Sequence, residues 1–240
     1  MRIVNVSKKY GNTVALDNIS FDVVPSSIIG VIGHNGSGKT TLLEILMGIQ
    51  KQTSGQILNV NPELKEFKEK MGVILQENAV YENITVGELL RLFASYYKDT
   101  YDIDYLVDVL NMHDFKGKLY SKLSGGMKQK VNLALAFINK PKYVFLDEPT
   151  TGLDPIARKN LWNALNVLCK DTTVFLSSHY MEEVEQNCQY LVYLDDGNLI
   201  YSGSIDKFKN LHHPKALSEI YISISGGEYN DNDRTVESRV

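Results

Sequence analysis

Gly33, His34, Asn35, Gly36, Ser37, Gly38, Lys39, Thr40 and Thr41 follow one another without interruption. The glycines let backbone N–H groups curl around phosphate oxygens, Lys39 supplies a point charge, and the Thr40 hydroxyl can hold Mg²⁺. An apolar run at 28–32 precedes the loop and a helix-like run at 42–47 follows it, so a helix N-terminus adds the positive end of its dipole. A strand, a glycine-rich turn and a helix start make this spacing a phosphate site, and the ligand implied is a nucleoside triphosphate. The competing reading is a plain glycine- and serine-rich turn with an incidental lysine, and the flanking pattern argues against it.

A second set of reactive side chains is the pair Asp147 and Glu148, at the end of the apolar run 142–146. A fully buried strand of this kind belongs to a parallel sheet, and it delivers the carboxylates to the C-terminal edge where a phosphate loop also sits. One carboxylate can hold Mg²⁺ through water, and the next can orient or deprotonate an attacking water. The competing reading is a helix-capping acid pair, and the presence of the phosphate loop argues against it.

The elements that must position these groups follow from periodicity. Ile3, Val4 and Val6, then Ile19, Phe21 and Val23, suggest two antiparallel strands with a turn at Tyr10, Gly11 and Asn12. Residues 56–58 read as a short strand, 59–70 as polar and irregular, and 72–75 as a compact strand ending at Gln76. From Thr85 the period turns helical, with Val86, Leu89, Leu90, Phe93 and Tyr97 on one face and Thr85 with Glu88 as a capping box. Ile103, Leu106, Val107 and Leu110 continue it, so an all-helical insertion separates two α/β pieces. Tyr96, Tyr97, Tyr101 and Tyr105 crowd this segment, for packing or as a partner-facing patch.

Ser124, Gly125 and Gly126 open a helix, a potential anion site or an ordinary cap. A further helix at 155–168 starts with proline, 172–176 is a strand, and Asp195, Asp196, Gly197 and Asn198 form a hairpin turn. The expected fold is therefore α/β, with a single domain over 1–223, a helical subdomain at about 82–139 inside it, and a polar, frayed tail at 224–240.

Composition narrows the functional classes. With 240 residues the chain can bury a large core, and 25 Lys+Arg against 29 Asp+Glu give a net charge of −4, so no nucleic-acid partner is expected. No apolar run is long enough for a membrane helix, and the start of the chain reads as a strand rather than a signal peptide, which implies a cytoplasmic protein. The two cysteines, Cys169 and Cys188, form neither a disulfide framework nor a metal cluster and are read as reduced and structural.

With Leu123, Ser124, Gly125, Gly126, Met127, Lys128 and Gln129 upstream of the Asp147–Glu148 strand, the sequence resembles an ATP-binding-cassette ATPase over residues 1 to about 210. The resemblance implies a phosphate-loop nucleotidase core with a mixed, mainly parallel central sheet, an antiparallel β-subdomain and the helical insertion. It implies ATP and Mg²⁺ as ligands. It implies that Ser124, Gly125 and Gly126 close over the ATP of a second ATPase subunit, in a homodimer or heterodimer. Tyr10 is similar to the family's adenine-stacking aromatic, and Gln76 to the glutamine that reaches Mg²⁺ and the lytic water. Asp154 lies in a loop similar to the one coupling the two sites, and His179 resembles the switch histidine at the γ-phosphate.

These likenesses imply Glu148, His179, Gln76 and Lys39 as catalytic residues and Thr40, Gln76 and Asp147 around the metal. The loop residues Gly33 to Thr41 would cradle the nucleotide, with His34 at a variable place. The chain also departs from the family pattern: Lys130 replaces a common arginine, Gln52 a common proline, and Ser26 and Ser27 a frequent Gly-Glu. The spacing resembles the drug and antimicrobial-peptide export branch, which implies a transmembrane permease partner and a place on the inner face of the cell membrane. A nutrient importer and a ribosome- or nucleic-acid-remodelling ATPase are the alternative readings.

Overall fold

A computed structural model of the chain describes residues 1–75, 81–212, 215–225 and 235–236. Arg2–Tyr10 (β1) pairs antiparallel with Thr13–Asp22 (β2), and Ser54–Leu58 (β4) adds to its other side in a three-stranded sheet of order β2-β1-β4. Strict alternation would bury Val4 with Val6, but Ile3 and Val6 are the buried pair, at 1% and 0% exposure. The register shifts between them, and Asn5 takes a positive φ of 50°. That bulge adds one residue and turns both side chains to the same face. The Ser20 hydroxyl accepts the Asn5 N–H at 2.8 Å, so the kinked backbone keeps a partner.

The main sheet forms from apolar strands: Ile28–Ile32 (β3), Met71–Ile74 (β5), Tyr143–Asp147 (β6), Thr173–Ser177 (β7), Tyr190–Asp195 (β8) and Asn198–Ser204 (β9). Thr235–Val236 (β10) pairs in parallel with Tyr201 and Ser202, giving the seven-strand order β10-β9-β8-β3-β7-β6-β5 among the described residues. The strands β5, β6, β7, β3 and β8 run parallel, and β8 turns back antiparallel into β9 at Asp196 and Gly197, whose φ values of 44° and 77° suit a tight hairpin.

Alternate residues of these strands feed two separate cores. Ile28, Ile32, Val144, Leu146, Val174 and Leu176 pack with the helices Val86–Ala94 (α3), Gly125–Phe137 (α5), Pro155–Leu168 (α6) and Met181–Asn187 (α7). Ile29, Val31, Phe145, Phe175 and Val192 pack with Lys39–Leu46 (α1) and the antiparallel sheet, and Phe145 stacks on Phe175 at 5.1 Å. With both faces covered, these strands are apolar throughout, and each fully buried large side chain contributes roughly 1.5–3 kcal/mol.

The insertion is built as its period suggests. Thr85 caps α3 with a complete capping box to Glu88, and Asp102 caps Ile103–Val109 (α4). Tyr97 and Tyr101 pack against the core, whereas Tyr96 stays 67% exposed. Other local features differ from expectation. Residues 59–70, read as irregular, contain the single turn Lys65–Lys68 (α2), which Phe67 pins by burial. Ile205–Leu211 (α8) and Leu217–Ser225 (α9) were not legible as helices, and α9 continues past residue 223 because Leu217, Ile220 and Ile224 face the core. Among the described residues no helix is long and apolar enough to cross a membrane. Cys169 and Cys188 are free and buried, and burial pushes both thiols up, Cys169 to about 12.

The backbones of sheet and insertion come close at Gly72 of β5, where an added Cβ would sit 1.8 Å from the Ala136 carbonyl of α5. Gly72→Ala must therefore separate β5 from α5, and a loss of about 1–3 kcal/mol or more is expected in urea unfolding. An unchanged midpoint would show that this packing yields freely.

Candidate active site

The phosphate loop joins the C-terminal end of β3 to α1, and its two flanking glycines are sterically required. An added Cβ on Gly33 would lie 2.2 Å from the Leu194 carbonyl, and on Gly38 2.6 Å from the Ala15 carbonyl, both at positive φ. The loop is thus gripped between the end of β8 and strand β2. The Gly197 N–H donates to the Ser37 carbonyl at 3.1 Å, and His34 Nε2 lies 3.3 and 3.1 Å from carboxylate oxygens of Asp195 and Asp196. The Lys39 ammonium is buried inside the curl and donates to the Gly33 and His34 carbonyls at 2.8 and 2.9 Å. Burial lowers its pKa, and the nearby Glu148 and Asp147 carboxylates oppose that shift.

Strand register brings the acids to this loop. Asp147 of β6 lies opposite Ser177 of β7, and the Ser177 hydroxyl donates to Asp147 Oδ1 at 2.5 Å. Asp147 Oδ2 accepts from the Thr40 hydroxyl at 3.2 Å. The same Ser177 oxygen accepts the Glu148 N–H at 2.8 Å, at the point where Glu148 adopts a positive φ of 49°. This is a strained backbone for a residue with a side chain, and it turns Glu148 out of the strand direction. Its Oε2 accepts from the Thr151 hydroxyl at 3.0 Å and lies 3.5 Å from His179 Nδ1. A cavity of about 240 Å³ is lined by Ala15, Asn35, Gly36, Gly38, Lys39, Thr40, Thr41 and Glu148.

These groups fit a triphosphate and a hard cation. The loop residues, a buried ammonium and a helix N-terminus converge on one cavity. Thr40 and Asp147 offer adjacent oxygen donors of the kind that Mg²⁺ takes while keeping most of its waters. Among the described residues no larger group of acids, histidines and cysteines forms a metal site.

Tyr10, Ser124, Gly125, Gly126 and Asp154 do not line this cavity. Tyr10 is 45% exposed at the end of β1, its hydroxyl donating to Gln50 Oε1 at 2.5 Å. Ser124 is the N-cap of α5 and accepts the Met127 N–H at 3.4 Å, and none of Ser124, Gly125 and Gly126 lines the cavity. Asp154 caps α6 by accepting the Ile156 and Ala157 N–H groups, both at 2.9 Å. Gln76 lies outside the described residues. Lys130 reaches the Asn111 carbonyl at 3.3 Å, a single contact where a guanidinium could make several.

Sequence reasoning missed three contributors: Ser177, Thr151 and Gln129, whose amide donates to the Pro149 carbonyl at 2.8 Å and ties α5 to the Glu148 loop. A polar residue ending an otherwise apolar strand was the available signal for Ser177. Ser177→Ala leaves the Asp147 oxygen and the Glu148 N–H without their buried partner. Thermal and urea melts should register a loss of about 1–3 kcal/mol, with slower ATP turnover measured alongside; full stability would show that neither bond matters.

Residues 16–151 match the family model described as ABC transporter. Over 209 residues the chain is 35% identical to Nod factor export ATP-binding protein I of Burkholderia pseudomallei, covering 83% of this chain and 69% of that protein. It is also 35% identical over 214 residues to human ATP-binding cassette sub-family A member 2, covering 85% of this chain and 9% of that much longer protein. Among solved structures, an ATP-binding subunit of an ABC transporter superposes with a TM-score of 0.82 at 26% identity, covering 93% of this chain and 98% of its own. A dimeric ATP-binding cassette in a post-hydrolysis state, bound to ADP and Pi, superposes at 0.72 and 25% identity, covering 85% of this chain and 98% of its own. The chain belongs to the ABC transporter family, as an ATP-binding cassette that hydrolyses ATP.

Proposed function

We propose that this cassette dimerises on ATP and drives a separate membrane permease that exports a drug, peptide or lipid-like substrate, from the inner face of the cell membrane. The observation that carries this reading is the split between two half-sites. Residues of the phosphate loop, Lys39, Thr40 and Glu148 line one cavity and Asp147 is hydrogen-bonded to Thr40, while the Ser124–Gly126 helix start lies outside that lining. A helix N-terminus that begins at the exposed Ser124 and Gly125, outside the lining of its own phosphate site, suits the phosphates bound by a second copy or a related subunit. Export is supported by the similarity to a protein named for Nod factor export.

In this reading Lys39 and the loop amides hold the β- and γ-phosphates, Tyr10 stacks on adenine, and Thr40 with Asp147 would hold Mg²⁺. When bound, Mg²⁺ neutralises phosphate charge. Glu148 accepts a proton from the water whose oxygen attacks the γ-phosphorus as the bond to the β-phosphate oxygen breaks, leaving ADP and phosphate. Thr151 and His179 hold the carboxylate in that direction. By the family resemblance His179 would sense the γ-phosphate, and Gln76 would be a further ligand for Mg²⁺. The dimer closes because the closed state binds ATP more tightly than the open state, and hydrolysis releases it.

Glu148→Gln should slow hydrolysis by about 10²–10⁴-fold while ATP binding and ATP-induced dimers persist, as expected for a lost general base. Steady-state phosphate release from the purified chain measures this, and unchanged turnover would refute the assignment. Ser124→Arg should abolish ATP-dependent dimers in light scattering without weakening ATP binding by the monomer. Dimers of normal stability would sink the split-site reading.

A further inference from the structure

The Arg158 side chain on the second turn of α6 makes contacts that no part of the proposed reaction uses. Its Nε donates to the Leu153 carbonyl at 3.0 Å, in the loop that runs from Glu148 to the cap of α6. Its guanidinium carbon lies 3.9 Å from the centre of the Tyr180 ring, a stacking distance for a planar cation. Its Nη1 reaches Glu183 Oε1 at 3.3 Å, and Glu183 Oε2 accepts from Trp162 Nε1 at 3.2 Å, so the cation is fixed from behind. The Arg158 and Glu183 side chains are mostly buried, at 26% and 16% exposure.

Both structures that Arg158 holds end on the same oxygen. The Leu153 loop carries Thr151, whose hydroxyl donates to Glu148 Oε2 at 3.0 Å; within it the Thr151 N–H donates to the Glu148 carbonyl and the Leu153 N–H to the Thr150 carbonyl. Tyr180 adjoins His179, with ring centroids 4.1 Å apart, and His179 Nδ1 is 3.5 Å from Glu148 Oε2. One guanidinium therefore anchors two arms that flank the carboxylate from opposite elements. We infer that Arg158, through its bond to the Leu153 carbonyl and its stack on Tyr180, is a positioning residue that sets the direction of the Glu148 carboxylate by holding Thr151 and His179 against it.

The inference deepens the proposed mechanism and rests on its assignment of Glu148. A lysine cannot replace the guanidinium here, because an ammonium is a point charge that cannot stack as a plane and donate sideways at once. The ring of Tyr180 matters through its face, so phenylalanine should serve and leucine should not.

The test uses the purified full chain, with ATP binding, ATP turnover and melting temperature measured together. Arg158→Ala, Arg158→Lys and Tyr180→Leu should each lower kcat about 10- to 100-fold, the scale of a small misplacement of a reacting group. Their KM for ATP should stay within about threefold of wild type, because the phosphate loop is untouched. Tyr180→Phe should retain turnover. In a His179→Ala background the loss caused by Arg158→Ala should shrink, since one arm has already gone.

Wild-type kcat in the folded Arg158→Lys and Tyr180→Leu variants would overturn the inference, as would an undiminished effect of Arg158→Ala without His179. Glu148→Gln run alongside separates the two levels. If it abolishes turnover while the Arg158 and Tyr180 variants work normally, only the positioning role fails. If it leaves turnover intact, the mechanism fails and the positioning role falls with it.

Discussion

The buried carboxylate of Asp147 sets the terms for everything around it. At 5% exposure it cannot keep its water shell, so the fold must supply hydrogen-bond donors to it. Ser177 and Thr40 do so from different elements, one at the end of β7 and the other in the first turn of α1. Holding those bonds keeps β6, β7 and the phosphate loop in one register. The same serine then receives the Glu148 N–H, so the residue that satisfies the buried acid also fixes the backbone turn that swings the next acid toward the cavity.

Parallel pairing makes that meeting possible. The strands β3, β6 and β7 all point the same way, so the residues following them collect at one edge. The phosphate loop, the acid pair and the Ser177–His179 segment are far apart in the chain and become neighbours through this alignment alone. Two cores on opposite sheet faces hold it rigid, and the bulged antiparallel sheet contributes Ala15, whose carbonyl crowds Gly38. Rigidity here serves chemistry, because donors that are already aimed need no reorganisation when charge develops on a phosphate.

Two surfaces leave this rigid centre. The α5 helix start carries Ser124, and the Asp154 cap opens α6, while Gln129 and Arg158 connect these helices back to the Glu148 loop. One hydrogen bond joins α5 to Pro149, next to Glu148, and another joins α6 to the Leu153 loop that carries Thr151.

The sequence by itself determined the pieces whose physics is local. Glycine spacing with Lys39 and Thr40 defined the phosphate loop, Thr85 with Glu88 announced the start of α3, and Pro155 announced that of α6. Each depends on contacts within a few residues, so residue type and spacing suffice. The apolar runs also identified a buried parallel sheet and hence the α/β class. Only the tertiary structure decided which strand lay beside which, and with it the Asp147–Ser177 pairing, the positive φ of Glu148 and the shared oxygen of Thr151 and His179. Strand order and register arise from packing summed over the whole core, as do the burial of α9 and the bulge at Asn5. No short stretch of sequence encodes such sums, which is why the loop was legible and its surroundings were not.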